Sequence, residues 1–463
     1  MAGFIEYKGF DHIWDYSGPW LWCLVGLYLC LPIIAYKLLP LLSTPKSKPG
    51  KRRSIGIFVL GDLGHSPRMC YHASSFSKLN YDVNLCGYLE TEPPVHVIDD
   101  MNIDICEIKV IKNSTGLPYL VFAGKKIFIQ FYQLFQLLLQ FRGIDYILIQ
   151  NPPSVPLLFL IIVFIKLFSR NTELIIDWHN LNYSILNLRY KNERHPIVRL
   201  VRFYEMFLGK FANLNVTVTK QMKKFLIEEF GFKKSNIVTL YDRPGDQFKP
   251  LQELPISKPE FLQSHELFNQ IENVENYKIL ASSTSFTPDE DFNILLNALK
   301  QYENTKNVPP VFLIVTGKGP LKSQFLQTVK DLDFSPSKVI IKSAWLTAEE
   351  YPIILSLADL GVSLHTSSSG IDLPMKIVDF FGCGIPVISL SFPAIGELVK
   401  QNVNGLITDN KNTEAEMYNL LVQTMTDSEL LATIKQGAME ESGLRWDQNW
   451  RTVLKKKFEY ELN

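Results

Sequence analysis

The chain has 463 residues, 46% of them hydrophobic and 20% charged, which is enough material for two domains with large cores. Its 47 basic and 47 acidic residues give a formal net charge of zero, which argues against a nucleic-acid-binding protein. The six cysteines form no C-x-x-C pair, so the sequence argues against a structural zinc site and predicts reduced thiols in the cytosol.

The first predicted element is a transmembrane helix over residues 20–42. This stretch is almost continuously apolar and is long enough to cross a hydrocarbon core of roughly 30 Å. Acidic residues dominate the flank before it, and basic residues follow it at Lys46, Lys48, Lys51, Arg52 and Arg53. The positive-inside rule predicts a single-pass protein with a short lumenal segment over 1–19 and the remaining chain in the cytosol. A cleaved signal peptide is the alternative, and the acidic start argues against it.

A basic linker over residues 43–53 leads into two stretches in which short apolar strands alternate with helical segments. They cover residues 54–248 and 277–435, and a polar linker over 249–276 separates them. We therefore predict an α/β fold of two Rossmann-like, doubly wound domains that face a cleft. Residues 436–463 are predicted to form a C-terminal helix that crosses back to the N-terminal domain. Strands are predicted at 54–60, 145–150, 173–177, 214–219, 278–281, 311–316, 338–341, 360–364 and 386–390.

Two further apolar stretches lie in the first of these regions. Residues 155–168 are too few to span a bilayer comfortably, so a buried or membrane-dipping helix is expected there. Residues 119–141 carry an apolar stripe at helical spacing, which predicts either a core-packing helix or a surface that leans on the membrane.

Two polar motifs follow predicted strands of the first domain. In the first motif, Gly61 and Gly64 let the backbone approach a ligand, and His65 precedes a helix whose N-terminus favours an anion. An ordinary strand–helix turn is the alternative. In the second motif, Asp177 and His179 lie at the carboxyl end of a strand, the edge where doubly wound sheets bind ligands. His179 can accept a proton near neutral pH, although a structural histidine fits the sequence equally well.

The second domain carries two glycine-containing turns. The first turn contains Gly317, Lys318 and Gly319 and follows a strand, and it is the weaker of the two indications of a ligand-binding turn. A second polar turn with Gly370 and Asp372 opens a helix, and within that helix Lys376 supplies a positive charge for phosphate. Asp379 lies one turn later and could accept the hydroxyls of a ribose. The alternative is an ordinary helix-surface pair of Lys376 and Asp379.

The residues 289–291 form a D-x-D pattern that could bind a metal ion. They lie at a predicted helix start, where acidic side chains are favourable without any metal. We therefore predict no metal site in the protein.

The helix around Lys376 and Asp379, which ends in Gly384-Ile385-Pro386-Val387, is similar to the donor-binding helix of GT-B glycosyltransferases. Asp379 matches the second acidic residue of their motif, and Asp372 lies one place from the first. Several strings together resemble the mannosyltransferase family that acts on the dolichol-linked N-glycan precursor in the endoplasmic reticulum. The strings are Gly61 to Met69, Gln150 to Ser154, Asp177 to Asn180, Tyr241 to Pro244, Ser282 to Asp291 and Asp372 to Lys376.

The resemblance implies GDP-mannose as the donor and dolichyl-diphosphate-linked N,N′-diacetylchitobiose as the acceptor. It implies an N-terminal acceptor domain, a C-terminal donor domain and no tightly bound cofactor. It leaves open stimulation by a divalent metal through the diphosphate and association with other mannosyltransferases. Two rival hypotheses remain, a GT-B enzyme that adds an α-linked sugar and a non-catalytic scaffold that binds nucleotide sugar.

If the chain is such a mannosyltransferase, His179 is the first candidate for the general base and His65 the second. Asp177 would orient either histidine or act as the base itself. Lys376 and the turn from Gly370 would hold the departing diphosphate. Asp379 would bind ribose, and residues 317–319 would bind the nucleotide end.

Overall fold

The computed structural model describes residues 22–31, 51–111, 119–269, 271–287, 290–409 and 412–460. Residues 22–31 are helical and exposed, whereas residues 1–19 and the rest of the predicted anchor over 20–42 lie outside the described residues. Within the described ranges, no helix is both long and apolar enough to cross a bilayer.

The first half of the chain folds around a seven-stranded parallel sheet with the strand order β3-β2-β1-β4-β5-β6-β7. Its central strands are continuous apolar runs because helices cover both faces of the sheet. The strands are β1 Ser54–Asp62, β2 Asp82–Tyr88, β3 Ile103–Glu107, β4 Tyr146–Asn151, β5 Glu173–Trp178, β6 Leu214–Thr217 and β7 Ile237–Thr239. The helices are Pro67–Ser77, Val95–Ile98, Tyr119–Gln140, Leu157–Phe168, Asn182–Tyr190, Pro196–Leu208 and Lys220–Glu228.

The second half folds around a six-stranded parallel sheet with the order β10-β9-β8-β11-β12-β13. The strands are β8 Lys278–Ser283, β9 Val311–Thr316, β10 Val339–Ala344, β11 Leu360–Ser363, β12 Val387–Ser389 and β13 Gly405–Ile407. The helices are Lys258–Ser264, Phe292–Glu303, Lys322–Leu332, Glu350–Ser356, Met375–Gly382, Thr413–Thr426 and Ser428–Ser442.

The apolar stretch predicted at 155–168 forms the helix Leu157–Phe168, and most of its side chains are buried against the first sheet. It is therefore a core helix, which settles the choice between a buried and a membrane-dipping helix. The helix Tyr119–Gln140 packs Leu134 and Leu138 into the same core but leaves Phe128 and other apolar side chains in its N-terminal half exposed.

The chain ends in a helical segment that packs on the opposite face of the first sheet. Trp446, Trp450, Leu454 and Phe458 are buried there against the helix Pro67–Ser77. Successive side chains four residues apart drift by about 40° around an α-helix. Here the middle of the segment, Arg451–Lys455, is a π-helix, and its wider turn offsets that drift so that all four side chains face the core.

Candidate active site

A buried carboxylate at the carboxyl end of β5 is the centre of the candidate site. Asp177 accepts two hydrogen bonds from the Arg68 guanidinium, at 2.7 Å from Nε and 2.9 Å from Nη2. The third guanidinium nitrogen of Arg68 donates to Asp242 at 2.7 Å. Burial opposes the charge on Asp177, but Arg68 and the neighbouring histidines hold the pKa of Asp177 well below its ordinary value. Asp177 is therefore an ionised acceptor.

Two histidines share the same oxygen of Asp177. His179 Nε2 lies 3.1 Å and His72 Nε2 3.2 Å from Oδ2. Trp450 donates its indole N–H to His72 Nδ1 at 3.1 Å, so His72 carries its proton on Nε2 and donates it to Asp177. Burial lowers the pKa of His72, which keeps this histidine neutral.

His179 keeps 26% of its side chain exposed while Asp177 is fully buried. Because the ionised Asp177 can only accept, the proton of a neutral His179 lies on Nε2. Nδ1 is then an acceptor, and within the part of the chain that the structure describes no group donates to it. A carboxylate that orients one ring nitrogen and leaves the other to accept a proton is the arrangement that a general base requires.

The second predicted base candidate lies apart from this network. His65 is largely exposed, and its Nδ1 lies 2.6 Å from Asp62 Oδ2. The other oxygen of Asp62 accepts the backbone N–H groups of Glu90 and Thr91 at 3.1 and 3.0 Å. Burial opposes the charge on Asp62, but the hydrogen bonds from His65 and Thr91 outweigh it and lower the pKa of Asp62.

The two glycines of that first motif differ in what surrounds them. A Cβ atom at Gly64 would lie 2.8 Å from the carbonyl oxygen of Glu92, so the close packing of two loops requires glycine there. A Cβ atom at Gly61 would lie 3.5 Å from the Val59 side chain, an ordinary van der Waals contact, so packing does not require glycine there. Ser66 does not cap the following helix with its side chain, because its hydroxyl donates to the Asp62 carbonyl at 2.8 Å.

The second-domain turn meets the Asp177–Asn180 motif across the cleft. Asn180 Nδ2 donates to Ser368 Oγ at 3.2 Å, and Ser184 Oγ lies 3.1 Å from the same hydroxyl. Thr219 donates its hydroxyl to the Ile371 carbonyl at 2.6 Å. Two motifs that lie about 190 residues apart in the sequence therefore line one site.

The carboxylate of Asp372 makes hydrogen bonds within its own turn. Its carboxylate accepts hydrogen bonds from Ser367 and, at 3.4 Å, from Ser369. Gly370 has a φ of +74°, a left-handed conformation that favours glycine, and its N–H donates to Ser367 Oγ at 2.7 Å. Asp372 and Gly370 thus fix the shape of the turn that precedes the helix Met375–Gly382.

Lys376 is the second residue of the helix Met375–Gly382, and its Nζ lies 2.5 Å from Glu290 Oε1. Glu290 is buried, and its other oxygen accepts the Thr284 hydroxyl at 2.5 Å and the Ser285 N–H at 3.0 Å. Sequence reasoning did not select Glu290 as a site residue. The ion pair joins the helix Met375–Gly382 to the loop after β8 and fixes the position of the ammonium group.

Asp379 faces the Tyr351 hydroxyl, which donates to it at 3.3 Å, and that hydroxyl also lies 2.9 Å from Ser283 Oγ. Burial, helped by the nearby charge of Asp242, raises the pKa of Asp379 to about 8 against the lowering effects of the Tyr351 hydrogen bond and of Lys376. Asp379 is therefore largely protonated at neutral pH and can donate as well as accept a hydrogen bond.

The turn at residues 317–319 packs against the loop after β8. A Cβ atom would lie 1.9 Å from the Thr284 carbonyl oxygen at Gly317 and 1.7 Å from the Ser285 carbonyl oxygen at Gly319. Close packing of two backbone segments therefore requires both glycines. The ammonium of Lys318 lies 3.9 Å above the exposed Trp345 ring, which is a cation–π contact.

The D-x-D pattern is only partly described. Asp291 accepts the N–H of Asn293 at 3.0 Å and so caps the helix Phe292–Glu303, whereas Asp289 lies outside the described residues. In the described ranges, no group of three or more His, Cys, Asp or Glu side chains is arranged so that it could hold a metal ion.

Known proteins with similar sequences identify the family to which this chain belongs. The family model for group 1 glycosyl transferases matches residues 263–441. The chain is 63% identical to the chitobiosyldiphosphodolichol beta-mannosyltransferase of Debaryomyces hansenii, over 99% of both chains. It is 35% identical to the human protein of the same name, over 93% of this chain and 98% of that protein. The chain belongs to the chitobiosyldiphosphodolichol beta-mannosyltransferase family.

This family member is a glycosyltransferase, and its two parallel sheets form the GT-B fold. It is similar to sucrose-phosphate synthase from Thermosynechococcus elongatus, with a TM-score of 0.64 and 13% identity over 86% of this chain and 96% of that one. It is also similar to Anabaena Alr3699/HepE in complex with UDP and glucose, with a TM-score of 0.61 and 17% identity. That likeness covers 86% of this chain and 96% of the other.

Proposed function

We propose that the protein transfers the first mannose from GDP-mannose to dolichyl-diphosphate-linked N,N′-diacetylchitobiose in β-1,4 linkage. The observation that carries this proposal is the 63% identity over 99% of both chains with a protein named for that mannosyl transfer. Polar side chains from both domains meet in the cleft, as the hydrogen bond between Asn180 and Ser368 shows. This arrangement supports the proposal, because ligands of doubly wound sheets bind in such crevices.

The α-linked mannose of the donor becomes β-linked in the product, so one in-line displacement inverts the anomeric carbon. His179 Nδ1 takes the proton of the acceptor hydroxyl while that oxygen attacks the anomeric carbon and the bond to the diphosphate breaks. Asp177 stabilises the imidazolium that forms, because its carboxylate accepts from His179 Nε2. His72 and Arg68 hold Asp177 in place from the opposite side.

The donor diphosphate lies, in this proposal, at the N-terminal end of the helix Met375–Gly382. Lys376 supplies a fixed positive charge, and the start of the helix that follows the turn at Gly370 and Asp372 supplies backbone N–H groups. Asp379 binds the ribose hydroxyls, and the backbone near Gly61 approaches the sugar. GDP-mannose is a substrate here and not a resident cofactor, and any divalent metal would act on its diphosphate without a protein site.

The proposed setting is the endoplasmic reticulum membrane, with residues 20–42 as a single anchor and both domains in the cytosol. The argument is the charge asymmetry around that stretch, together with a lipid-linked acceptor. Other mannosyltransferases that act on the same lipid-linked acceptor are candidate partners.

Purified full-length protein incubated with GDP-mannose and a lipid-linked chitobiose tests the proposal. The expected result is a product that is heavier by one hexose, with release of GDP. Binding of GDP without any transfer would favour the scaffold hypothesis. Transfer of a hexose in α linkage would favour the rival enzyme.

A further inference from the structure

One carboxylate of the second domain binds the start of a helix in the first domain. Glu397 Oε2 accepts the backbone N–H of Lys220 at 2.8 Å, and Glu397 Oε1 accepts the backbone N–H of Gln221 at 2.8 Å. These two residues begin the helix Lys220–Glu228. The first N–H groups of an α-helix have no partner within the helix and carry partial positive charge, so a carboxylate is favourable there.

The first domain itself supplies a cap for the next N–H group of this helix. Thr219 precedes the helix, and its hydroxyl oxygen accepts the N–H of Met222 at 2.9 Å. The two earlier donors bond to Glu397 across the cleft, so opening of the cleft would leave them to water. Because water replaces each lost hydrogen bond, such a contact favours the closed arrangement without preventing the domains from separating.

The same carboxylate contacts Tyr241, which opens one of the strings on which the family resemblance rests. Tyr241 donates its hydroxyl to Glu397 Oε2 at 2.6 Å. Burial and the charge of Glu397 raise the pKa of Tyr241, so this hydroxyl keeps its proton. The next residue, Asp242, accepts from Arg68 at 2.7 Å, and Arg68 also holds Asp177. Tyr241 and Asp242 therefore connect the interdomain contact to the candidate catalytic carboxylate.

On the second domain, the segment that carries Glu397 also supports the turn at Gly370. This segment follows β12 and ends in the short 3-10 helix Ile395–Glu397. The N–H of Ala394 donates to the Gly370 carbonyl at 3.0 Å, and a Cβ atom at Gly370 would lie 3.2 Å from the Pro393 side chain. One short segment therefore joins the turn beside the proposed diphosphate site to the network around the proposed base.

We infer that Glu397 is a positioning residue, which holds the two domains closed and so sets the distance between His179 and the donor sugar. Both of its oxygens bond to the first domain, so Glu397 contributes through the arrangement of the domains. By comparison, the contacts across the cleft at Ser368 and Ile371 join uncharged groups. The inference rests on the proposed function for the reaction concerned, but not for the contact between the domains.

Double electron–electron resonance on the full-length chain in detergent micelles tests the contact without any turnover. Spin labels are attached to a ketone-bearing amino acid in place of Glu228 and Val403, exposed residues on opposite sides of the contact. Glu397→Ala should shift the distribution to longer distances, and Glu303→Ala should match wild type. Glu303 is the matched control because it accepts the backbone N–H of Ser335 within the second domain. Identical distributions for wild type and Glu397→Ala would overturn the inference.

Proline tests the backbone contact separately, because Lys220 is the first residue of its helix. Proline is favourable at that position but has no N–H, so Lys220→Pro removes one donor to Glu397. Lys220→Ala is the matched control, since it loses the same side chain and keeps the N–H. We expect longer distances and a kcat about 3-fold lower at unchanged Tm for Lys220→Pro, and wild-type behaviour for Lys220→Ala. Equal behaviour of the two variants would contradict the role of this contact.

Kinetic measurements distinguish positioning from a merely structural role. Glu397→Ala should lower kcat about 10-fold because fewer molecules are closed, and Glu397→Gln should lower it less because its amide oxygen still accepts one N–H. The GDP affinity measured by calorimetry should stay within about two-fold of wild type, since the proposed donor-binding groups lie on the second domain. Equal losses of GDP affinity and kcat, or a lower Tm with unchanged kcat, would show that Glu397 only stabilises the fold. If wild type transfers no mannose, the proposed function fails, and the distance measurement decides on the contact by itself.

Discussion

Trp450 donates its indole N–H to His72 Nδ1 at 3.1 Å, and this bond couples the C-terminal segment to the candidate catalytic carboxylate. It fixes the tautomer of His72 so that the other ring nitrogen donates to Asp177. Asp177 in turn orients His179. The C-terminal segment therefore helps to position His179, the proposed general base.

Replacement of Trp450 with phenylalanine should lower kcat by roughly 3- to 10-fold, the effect of about one hydrogen bond, because His72 is free to change tautomer. The KM for GDP-mannose should stay near wild type, since the proposed donor-binding groups lie on the second domain. Trp446→Phe is the matched control for the loss of an indole donor, because that indole donates to Ser75 and phenylalanine leaves an aromatic ring beside His72 and Arg68. Equal kcat values for the two variants would show that the Trp450 bond is only structural.

The base assignment predicts a sharp difference between two histidines. His179→Ala should lower kcat by about 10²- to 10⁴-fold, the usual contribution of a general base, while the affinity for GDP measured by calorimetry stays nearly constant. His65→Ala should keep kcat within a few-fold of wild type, since His65 pairs with Asp62 and not with Asp177. If turnover persists in the first variant and falls in the second, His65 is the base.

The proposed donor contact of Lys376 and its ion pair with Glu290 can be tested separately. Lys376→Ala should weaken GDP-mannose binding by about 1.5–3 kcal/mol, the scale of a charge-assisted hydrogen bond. It should also lower the Tm, because the buried Glu290 loses its cation. In the double variant Lys376→Ala/Glu290→Gln the Tm should recover and donor binding should not. Recovery of both would mean that Lys376 acts only through the ion pair.

Asp379 should make the stability of the protein depend on pH. Burial raises its pKa from 3.8 to about 8, so between these values the folded chain holds a proton that the unfolded chain has released. Raising the pH through this window therefore favours unfolding, and the stabilising effect of Asp379→Asn should grow from pH 5.5 to pH 8.5. Differential scanning fluorimetry measures this, with the exposed Asp331→Asn as control. A Tm difference that stays constant with pH would contradict the raised pKa.

The central strands were predictable because each is an uninterrupted apolar run between two helix layers. The predicted strand over 311–316 coincides with β9, whose six side chains are all buried. β2 was missed because Asp82, Asn84 and Gly87 interrupt its pattern. β13 has only three residues, too few for any periodicity.

Some residues of the candidate site could likewise be predicted from the sequence and others could not. Asp177 lies at the carboxyl end of β5 and His179 directly follows that strand, so the topology of parallel sheets brings both to the cleft and local sequence suffices to select them. His72 lies in the middle of a helix, and its bond to Trp450 spans 378 residues. From the sequence alone, Glu290 looks like an acidic residue at the start of a helix. Its ion pair with Lys376 is visible only in the folded structure. No spacing rule along the chain encodes such contacts.

The linkage of the transferred sugar tests the central claim most directly. Full-length wild type and the His179→Ala variant are incubated with GDP-mannose and lipid-linked chitobiose, and the released trisaccharide is analysed by NMR and by digestion with a β-mannosidase. The account predicts a single β-1,4-linked mannose from wild type and almost none from the variant. An α-linked product, or equal yields from both proteins, would contradict it.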